Sequence, residues 1–201
     1  MVELDFPSTF NKAEFRRSLL KMRQSLDREI WQEKSLHLCQ QLTQSPLFAT
    51  AQTILTYLSV RQEPDLKSLL NLQKDWGVPR CVGKNLVWHR YLPDAFPLQP
   101  GAFGILEPHP ESPLIDVEQV DLILVPAVAC DRQGYRLGYG GGYYDRVFSS
   151  PLWADKPTIG IVFDFAYLPQ LPRDVWDQPL QAICTEVGLF PATREGSDSV
   201  V

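Results

Sequence analysis

The chain has 201 residues, of which 44% are hydrophobic, and its formal net charge is -5. This length favours one compact domain with one sizeable core, and the acidic balance disfavours an extended nucleic-acid-binding surface. No stretch approaches the roughly 18 apolar residues that would predict a membrane span. We therefore expect a cytoplasmic monomer that binds a small molecule and has neither a nucleic-acid nor a membrane partner.

The cysteines and histidines do not form a pattern typical of metal or triad chemistry. The three histidines are isolated, and no CxxC pair occurs. We expect buried free thiols at the four cysteine positions, which are Cys39, Cys81, Cys130 and Cys184.

Two helices are predicted at the start of the chain. Residues 8–26 carry capping residues followed by apolar residues spaced to line one side of a helix. A second helix is predicted to begin near Ser25 or Asp27 and to end at the Ser45-Pro46 breaker. We expect these two helices to form a helical hairpin.

The next segments mix strand and helix signals. Residues 53–60 (TILTYLSV) predict a buried strand, and residues 65–76 look helical, with Gly77 as a stop signal. The segments VPRCV and LVWHRY predict two short strands around a turn at residues 83–85. Proline and glycine dominate residues 93–113, which predicts a long and potentially functional loop.

The second half of the chain alternates strands with a helix. Residues 121–129 (DLILVPAVA) form an almost unbroken apolar run, typical of a strand buried in a parallel sheet. We predict a helix over residues 143–149 and strands over residues 158–163 and 182–187. The alternation indicates an α/β fold, and the polar residues 193–201 predict a disordered tail.

A glycine-rich loop, RLGYGGGYYD, follows the apolar run of residues 121–129. Gly138, Gly140, Gly141 and Gly142 allow the backbone to approach a ligand closely, and successive amides can bind phosphate oxygens. The loop lacks the lysine of a P-loop, and Tyr143 occupies the place of the third glycine in a dinucleotide fingerprint. Glycine content alone would fit a flexible turn equally well.

Charged residues near the loop favour phosphate chemistry over a plain turn. Arg136 and Arg146 are suited to pair with phosphate, and Asp145 is a hard oxygen ligand suited to Mg²⁺. Lys12 and Arg16 lie one helical turn apart in a basic amino-terminal cluster, which either faces solvent or reaches an anionic triphosphate. These patterns predict a nucleotide-using enzyme.

Four segments together resemble the 5-formyltetrahydrofolate cyclo-ligase family, also called methenyltetrahydrofolate synthetases: KAEFR, TYLSVRQEPD, DLILVPAVACDRQGY and RLGYGGGYYDR. The resemblance runs from about Lys12 to Glu186. It implies a single cyclo-ligase domain over residues 1–192. The implied fold is a three-layer α/β/α sandwich with a mostly parallel sheet, like those of ribose-5-phosphate isomerase and coenzyme A transferases.

The resemblance also implies an ATP- and Mg²⁺-dependent reaction. The formyl oxygen on N5 is phosphorylated, N10 attacks the activated carbon, and phosphate leaves to give 5,10-methenyltetrahydrofolate. Such a reaction depends on positioning and charge neutralisation, so it needs no side-chain nucleophile or histidine base. The alternatives are a sugar-phosphate isomerase or acyl-coenzyme A transferase on the same fold, and a folate- or nucleotide-binding protein without turnover.

The same resemblance implies roles for individual residues. Arg136 and Tyr143 are implied to be catalytic, and Asp145 and Asp177 to bind Mg²⁺. The implied ATP contacts are Lys12, Ala13, Glu14, Phe15, Arg16, Arg136, Leu137, Gly138, Tyr139, Gly140, Gly141, Gly142, Tyr143 and Tyr144. The implied folate contacts are Leu58, Glu63, Phe103, Tyr139, Gly140, Gly141, Gly142 and Tyr143.

Three positions depart from the family pattern. Gly141 stands where some members carry a lysine, so arginines, Lys12, backbone amides and the metal would have to meet the phosphate charge. Trp176 and Gln181 replace the histidine and aspartate expected around Asp177.

Overall fold

The structure, a computed structural model, describes residues 11–193, apart from the side chain of Phe103. Most of the predicted tail, residues 194–201, lies outside this range, as do the first residues of the predicted amino-terminal helix. Thr193 is described, and its backbone N–H donates to the carbonyl oxygen of Arg132 at 2.9 Å.

The described residues form five α-helices and twelve β-strands. The helices are α1 (Lys12–Gln24), α2 (Arg28–Gln44), α3 (Pro46–Thr50), α4 (Tyr143–Phe148) and α5 (Pro151–Ala154). The strands are β1 (Thr53–Leu55), β2 (Asp75–Val82), β3 (Asn85–Arg90), β4 (Gln99–Pro100), β5 (Leu106–Glu107), β6 (Leu122–Pro126), β7 (Ala129–Asp131), β8 (Arg136–Leu137), β9 (Thr158–Ile161), β10 (Tyr167–Leu168), β11 (Ala182–Thr185) and β12 (Gly188–Pro191).

A seven-stranded sheet lies at the centre of the fold, in the order β12-β11-β9-β6-β1-β2-β3. The five inner strands run parallel, and β3 and β12 pair antiparallel at the two edges. Two small sheets, β10-β7-β8 and β4-β5, are formed by the connecting segments. The predicted α/β fold with a mostly parallel sheet is confirmed.

Each face of the central sheet has its own apolar core. Successive strand residues point to opposite faces, so Ile54 and Leu55 belong to different cores. One core contains Phe15 and Leu19 of α1, with α4 and the β10-β7-β8 sheet; the other contains Leu38 of α2, with α3. The helices therefore form the outer layers of a three-layer arrangement.

The predicted helical hairpin is wrong, because α1 and α2 cover opposite faces of the sheet. The boundaries of both helices follow the sequence signals closely. Asn11 caps α1 in a complete capping box with Glu14, and Asp27 is the N-cap residue of α2. An apolar stripe shows that a helix is buried on one side, but it does not show against which surface.

Two segments after α3 differ from their predictions. The strand predicted over residues 53–60 ends at Leu55; residues 56–60 are irregular, and a turn follows at residues 61–62. The predicted helix over residues 65–76 is instead a short 3₁₀ helix, Lys67–Asn71, followed by β2. Gly77 lies inside β2, where a Cβ atom would come within 2.4 Å of the Leu55 side chain, so close strand packing explains this glycine.

The positions of the later elements agree better with those predicted from the sequence. The β2–β3 hairpin, α4, β9 and β11 lie where they were predicted. The long apolar run divides into β6 and β7, and the long loop contains β4 and β5. The free thiols are confirmed, although Cys81 is only half-buried. Within residues 11–193, no helix is long and apolar enough to cross a membrane.

Asp121 joins the starts of two neighbouring central strands. Its carboxylate accepts hydrogen bonds from the backbone N–H groups of Gln52 and Thr53, both at 2.9 Å. These bonds lower the pKa of Asp121 below its ordinary value of 3.8. Its stabilising contribution is therefore present above that value and is lost as the pH falls through the lower folded-state pKa.

We expect Asp121→Ala to lower the free energy of unfolding by about 1 kcal/mol near neutral pH, because two charge-assisted bonds are lost at an exposed site. Urea unfolding measures this difference, which should shrink as the pH falls below about 4. Glu118→Ala, also at an exposed acidic residue, is the control. Equal stability of Asp121→Ala and the wild type near neutral pH would contradict this role of Asp121.

Candidate active site

The glycine loop, residues 138–142, connects β8 to α4. Gly140 and Gly142 have φ angles of 96° and 65°, in the left-handed region that favours glycine. The small β7–β8 hairpin separates the loop from β6 along the chain. The Val128 N–H donates to the Leu137 carbonyl at 2.8 Å, so the hairpin returns the loop to the carboxyl end of β6.

Helix α1 places Arg16 directly against this loop. The Arg16 Nε donates to the Gly138 carbonyl oxygen at 2.8 Å. Its guanidinium carbon lies 3.7 Å from the position that a Cβ atom at Gly140 would take. The structure thus brings together two of the predicted ATP-contacting segments, which are far apart in the sequence.

The other predicted contacts on α1 are arranged differently. Lys12 lies one turn before Arg16 and contacts the carboxylates of Asp174 and Asp177, each at 2.6 Å. Burial opposes the charge of Lys12, but the two aspartates outweigh this effect and raise its pKa. Phe15 lies in the core, while Ala13 and Glu14 are exposed in the first turn of the helix.

Arg136 and Asp145 form an ion pair beside the loop. The Arg136 side chain is 4% exposed, and it also donates to the Gln178 carbonyl oxygen at 2.7 Å. Burial lowers the pKa of Arg136, and Asp145 opposes that shift. Asp145 keeps 41% of its side chain exposed, so its carboxylate is accessible next to the glycine loop.

The two predicted Mg²⁺ ligands differ in availability. Within the described part of the chain, no three acidic, histidine or cysteine side chains cluster as a metal site. Mg²⁺ is commonly held by one or two carboxylates together with substrate phosphates and water, and the exposed Asp145 fits that role. The Oδ2 atom of Asp177 contacts Lys12 and accepts the Asp174 N–H at 2.8 Å, so it is already engaged.

Glu63 contacts the glycine loop through Tyr139. It is 3% exposed, and its carboxylate accepts hydrogen bonds from the Tyr139 hydroxyl at 2.7 Å and the Val60 N–H at 3.0 Å. Burial raises the pKa of Glu63, and Arg23 opposes this shift. Glu63, a predicted folate contact, is thus hydrogen-bonded to Tyr139 of the predicted phosphate loop. Leu58, another predicted folate contact, is half-buried on the same segment as Glu63.

Arg23 is a site residue that the sequence did not single out from the basic cluster. It is 3% exposed, and it donates to the Tyr139 hydroxyl. The sequence did carry a signal for Arg23, namely its spacing from other residues of α1. Intervals of four, three and four residues separate Lys12, Arg16, Leu19 and Arg23, so all four lie on one face of the helix.

Tyr143 and Arg146 join the loop to the β2–β3 turn. The Tyr143 hydroxyl donates to the Gly83 carbonyl at 3.3 Å, and the Arg146 guanidinium lies 5.1 Å from the centre of the Tyr143 ring. Arg146 also donates to the carbonyl oxygens of Lys84 at 2.6 Å and Gly141 at 2.9 Å. These contacts brace the carboxyl-terminal half of the loop.

Three other predicted ligand contacts are Leu137, Tyr144 and Phe103, and the first two pack inside the protein. Leu137 is buried in the core, and Tyr144 packs against Phe148 with ring centres 5.9 Å apart. Burial raises the pKa of Tyr144, which keeps its phenol protonated. Phe103 lies in a 3₁₀ turn of the long loop, and its side chain is outside the described part of the structure.

A parallel α/β sheet carrying a glycine loop bordered by cationic side chains is typical of enzymes that act on phosphorylated ligands. The sequence model that describes the 5-formyltetrahydrofolate cyclo-ligase family matches residues 8–186 of this chain. The chain therefore belongs to this family of ligases, as its sequence motifs predicted.

Individual relatives agree with this assignment. The chain is 31% identical to the 5-formyltetrahydrofolate cyclo-ligase of Mycolicibacterium smegmatis, with 87% of this chain and 93% of that protein covered. It is 30% identical to the Escherichia coli 5-formyltetrahydrofolate cyclo-ligase, with 81% and 93% covered. The NMR structure of Aquifex aeolicus 5,10-methenyltetrahydrofolate synthetase superposes with a TM-score of 0.81 at 32% identity, covering 94% of this chain and 96% of that one.

Proposed function

We propose that the protein converts 5-formyltetrahydrofolate to 5,10-methenyltetrahydrofolate, consuming ATP and releasing ADP and phosphate. The hydrogen bond between Glu63 and Tyr139 carries this proposal, since it joins a carboxylate suited to a pterin to a loop suited to phosphate. Family membership supports the same reaction.

The nucleotide side of the site is formed by α1 and the loop. Arg16 supplies positive charge, and the amides of residues 138–142 supply hydrogen-bond donors for phosphate oxygens. Lys12 would add its charge by exchanging Asp174 and Asp177 for phosphate. Asp145, oriented by Arg136, would hold Mg²⁺, which supplies charge neutralisation at the transferring phosphoryl group. The exposure of Asp145 beside the loop supports its role as the protein ligand.

The folate side of the site is formed by the segment after β1. The Glu63 carboxylate would accept hydrogen bonds from the pterin N–H groups, exchanging the bond that it now receives from Tyr139. In this orientation the N5-formyl group would face the glycine loop. Tyr143 links the loop to the β2–β3 turn through its contact with Gly83, and its ring would pack on the bound folate.

We expect two chemical steps at this site. The formyl oxygen attacks the γ-phosphorus of ATP, and the bond to ADP breaks. N10 then attacks the activated carbon and loses its proton, and the former formyl oxygen departs with the phosphate. Each step needs alignment and charge neutralisation rather than a side-chain nucleophile. None of the residues given roles here is required to form a covalent bond with either substrate.

The direct test is a spectrophotometric assay with purified protein, 5-formyltetrahydrofolate, ATP and Mg²⁺. We expect methenyl-folate absorbance to develop with one ADP formed per product, and to require all three components. Product formation without ATP would point to a different reaction, and tight folate binding without turnover by folded protein would favour a binding protein. The cytoplasmic location, the monomeric state and the domain over residues 1–192 stay predictions.

A further inference from the structure

We propose that Arg23 is a positioning residue of the folate site: it fixes the turn that aims Glu63 at the pterin, and it places a buried positive charge on the Tyr139 hydroxyl that Glu63 also binds. This inference rests on the proposed function and assigns a role to a residue that touches neither the reacting phosphoryl group nor the formyl carbon.

Arg23 connects three segments that meet behind the glycine loop. It donates to the carbonyl oxygens of Arg61 at 3.1 Å and Ala127 at 3.3 Å, and to the hydroxyl of Tyr139. Its guanidinium carbon also lies 5.5 Å from the centre of the Tyr139 ring. A buried guanidinium needs such partners, so Arg23 fixes the turn after β1, the end of β6 and the loop relative to one another.

The turn that carries Glu63 has an unfavourable backbone. Arg61 and Gln62 have φ angles of 49° and 56°, in the left-handed region that residues with side chains rarely adopt. Arg23 holds the Arg61 carbonyl, and the Gln62 side chain donates to the Leu26 carbonyl at 2.9 Å. This turn brings the Glu63 carboxylate back onto the Val60 N–H. Arg23 of α1 and Leu26, which follows α1, therefore stabilise the conformation that aims Glu63.

The charges around Glu63 single out Arg23. Among residues 11–193, the other titratable groups that act electrostatically on Glu63 are Tyr139 of the loop, Tyr144 of α4, Tyr57 after β1 and Arg61 of its own turn. Arg61 is exposed, whereas Arg23 is buried and therefore poorly screened. Burial raises the pKa of Glu63, and Arg23 is the main group that opposes protonation.

Removing Arg23 should therefore affect folate more than ATP. For Arg23→Met we expect kcat/KM for 5-formyltetrahydrofolate to fall roughly 10- to 100-fold, with the KM for ATP changed less than about threefold. The acid limb of kcat/KM for folate should move to higher pH, because a carboxyl that has lost its cation protonates more readily. Arg23→Lys should restore most of the position of this limb but not the full rate.

The control is Arg17→Met, because Arg17 lies on the same helix and is exposed. Folate binding without nucleotide, followed by fluorescence over the same pH range, gives a readout that does not depend on turnover. Glu63→Gln should lose the acid limb of folate binding and should still fold, because it keeps the shape of the side chain. If Arg23→Met does not fold, a wild-type acid limb in Glu63→Gln still refutes the proposal, because the limb would then not come from the carboxylate on which Arg23 acts.

An unchanged acid limb in folded Arg23→Met, or a wild-type acid limb in Glu63→Gln, would overturn the role of Arg23. Failure of the proposed function has a different signature: wild-type protein would bind folate with the predicted pH dependence yet form no methenyl product. Wild-type protein that does not bind 5-formyltetrahydrofolate would refute both.

Discussion

Replacing Arg136 by alanine is expected to lower kcat about 100-fold, because the active site loses a buried cation and Asp145 loses the partner that orients it. The KM for 5-formyltetrahydrofolate should change much less, since Arg136 has no described contact with the Glu63 segment. Stopped-flow or steady-state formation of the methenyl product measures both quantities. The dependence of the rate on Mg²⁺ should also shift to higher concentrations.

The Arg136→Lys variant and chemical rescue of Arg136→Ala show whether a loss of rate comes from catalysis or from misfolding. The lysine variant keeps a positive charge but cannot bond Asp145 and the Gln178 carbonyl together, so it should recover only part of the lost rate. Added guanidinium ion should partly restore Arg136→Ala by entering the space left by the side chain. A folded Arg136→Ala variant with wild-type kcat would contradict the proposed role of the Arg136–Asp145 pair.

Arg16→Ala is expected to raise the KM for ATP about 10- to 30-fold, because it removes a charge-assisted bond to the glycine loop and a cation beside the phosphates. The neighbouring Arg17 is exposed and supplies a control that differs by one position on the same helix. Arg17→Ala should leave the KM for ATP within about twofold of the wild type.

Initial rates at varied ATP, with saturating folate, measure this difference. Arg17→Ala also tests whether the overall basic charge of α1 attracts ATP, because both variants remove one charge from the same region. Equal increases in KM for the two variants would contradict a specific site at Arg16 and favour a general electrostatic effect.

Local features of the fold were the most predictable from the sequence. The β2–β3 turn and the glycine loop depend on neighbouring residues, and both lie where they were expected. The sides of the sheet covered by α1 and α2 were not predictable in this way. Partners distant in the sequence decide them, and a periodic apolar stripe carries no information about its partner.

The candidate site shows the same division. Family motifs indicated Arg16, Glu63 and the loop, but not that Tyr139 bonds Glu63 or that Arg23 lies behind both. A buried arginine within a basic cluster has the same local signature as its exposed neighbour Arg17. Only the tertiary arrangement distinguishes the two.

Gly141 illustrates how one departure from the family pattern is accommodated. A Cβ atom at this position would lie 3.0 Å from two ring carbons of Tyr143, so any larger residue would have to move that ring. Arg146 lies over the same ring and donates to the Gly141 carbonyl, which places a cation close to the loop. We predict that Gly141→Lys would add charge but displace Tyr143, and therefore would not raise the rate, as steady-state kinetics can determine.

In the proposed reaction, the loop holds the γ-phosphate of ATP against the formyl oxygen of the folate. The most direct test uses 5-formyltetrahydrofolate labelled with oxygen-18 in the formyl group, with mass analysis of the phosphate released. Phosphorylation of the formyl oxygen predicts that each phosphate carries the labelled atom. Unlabelled phosphate, released together with the methenyl product, would contradict the account.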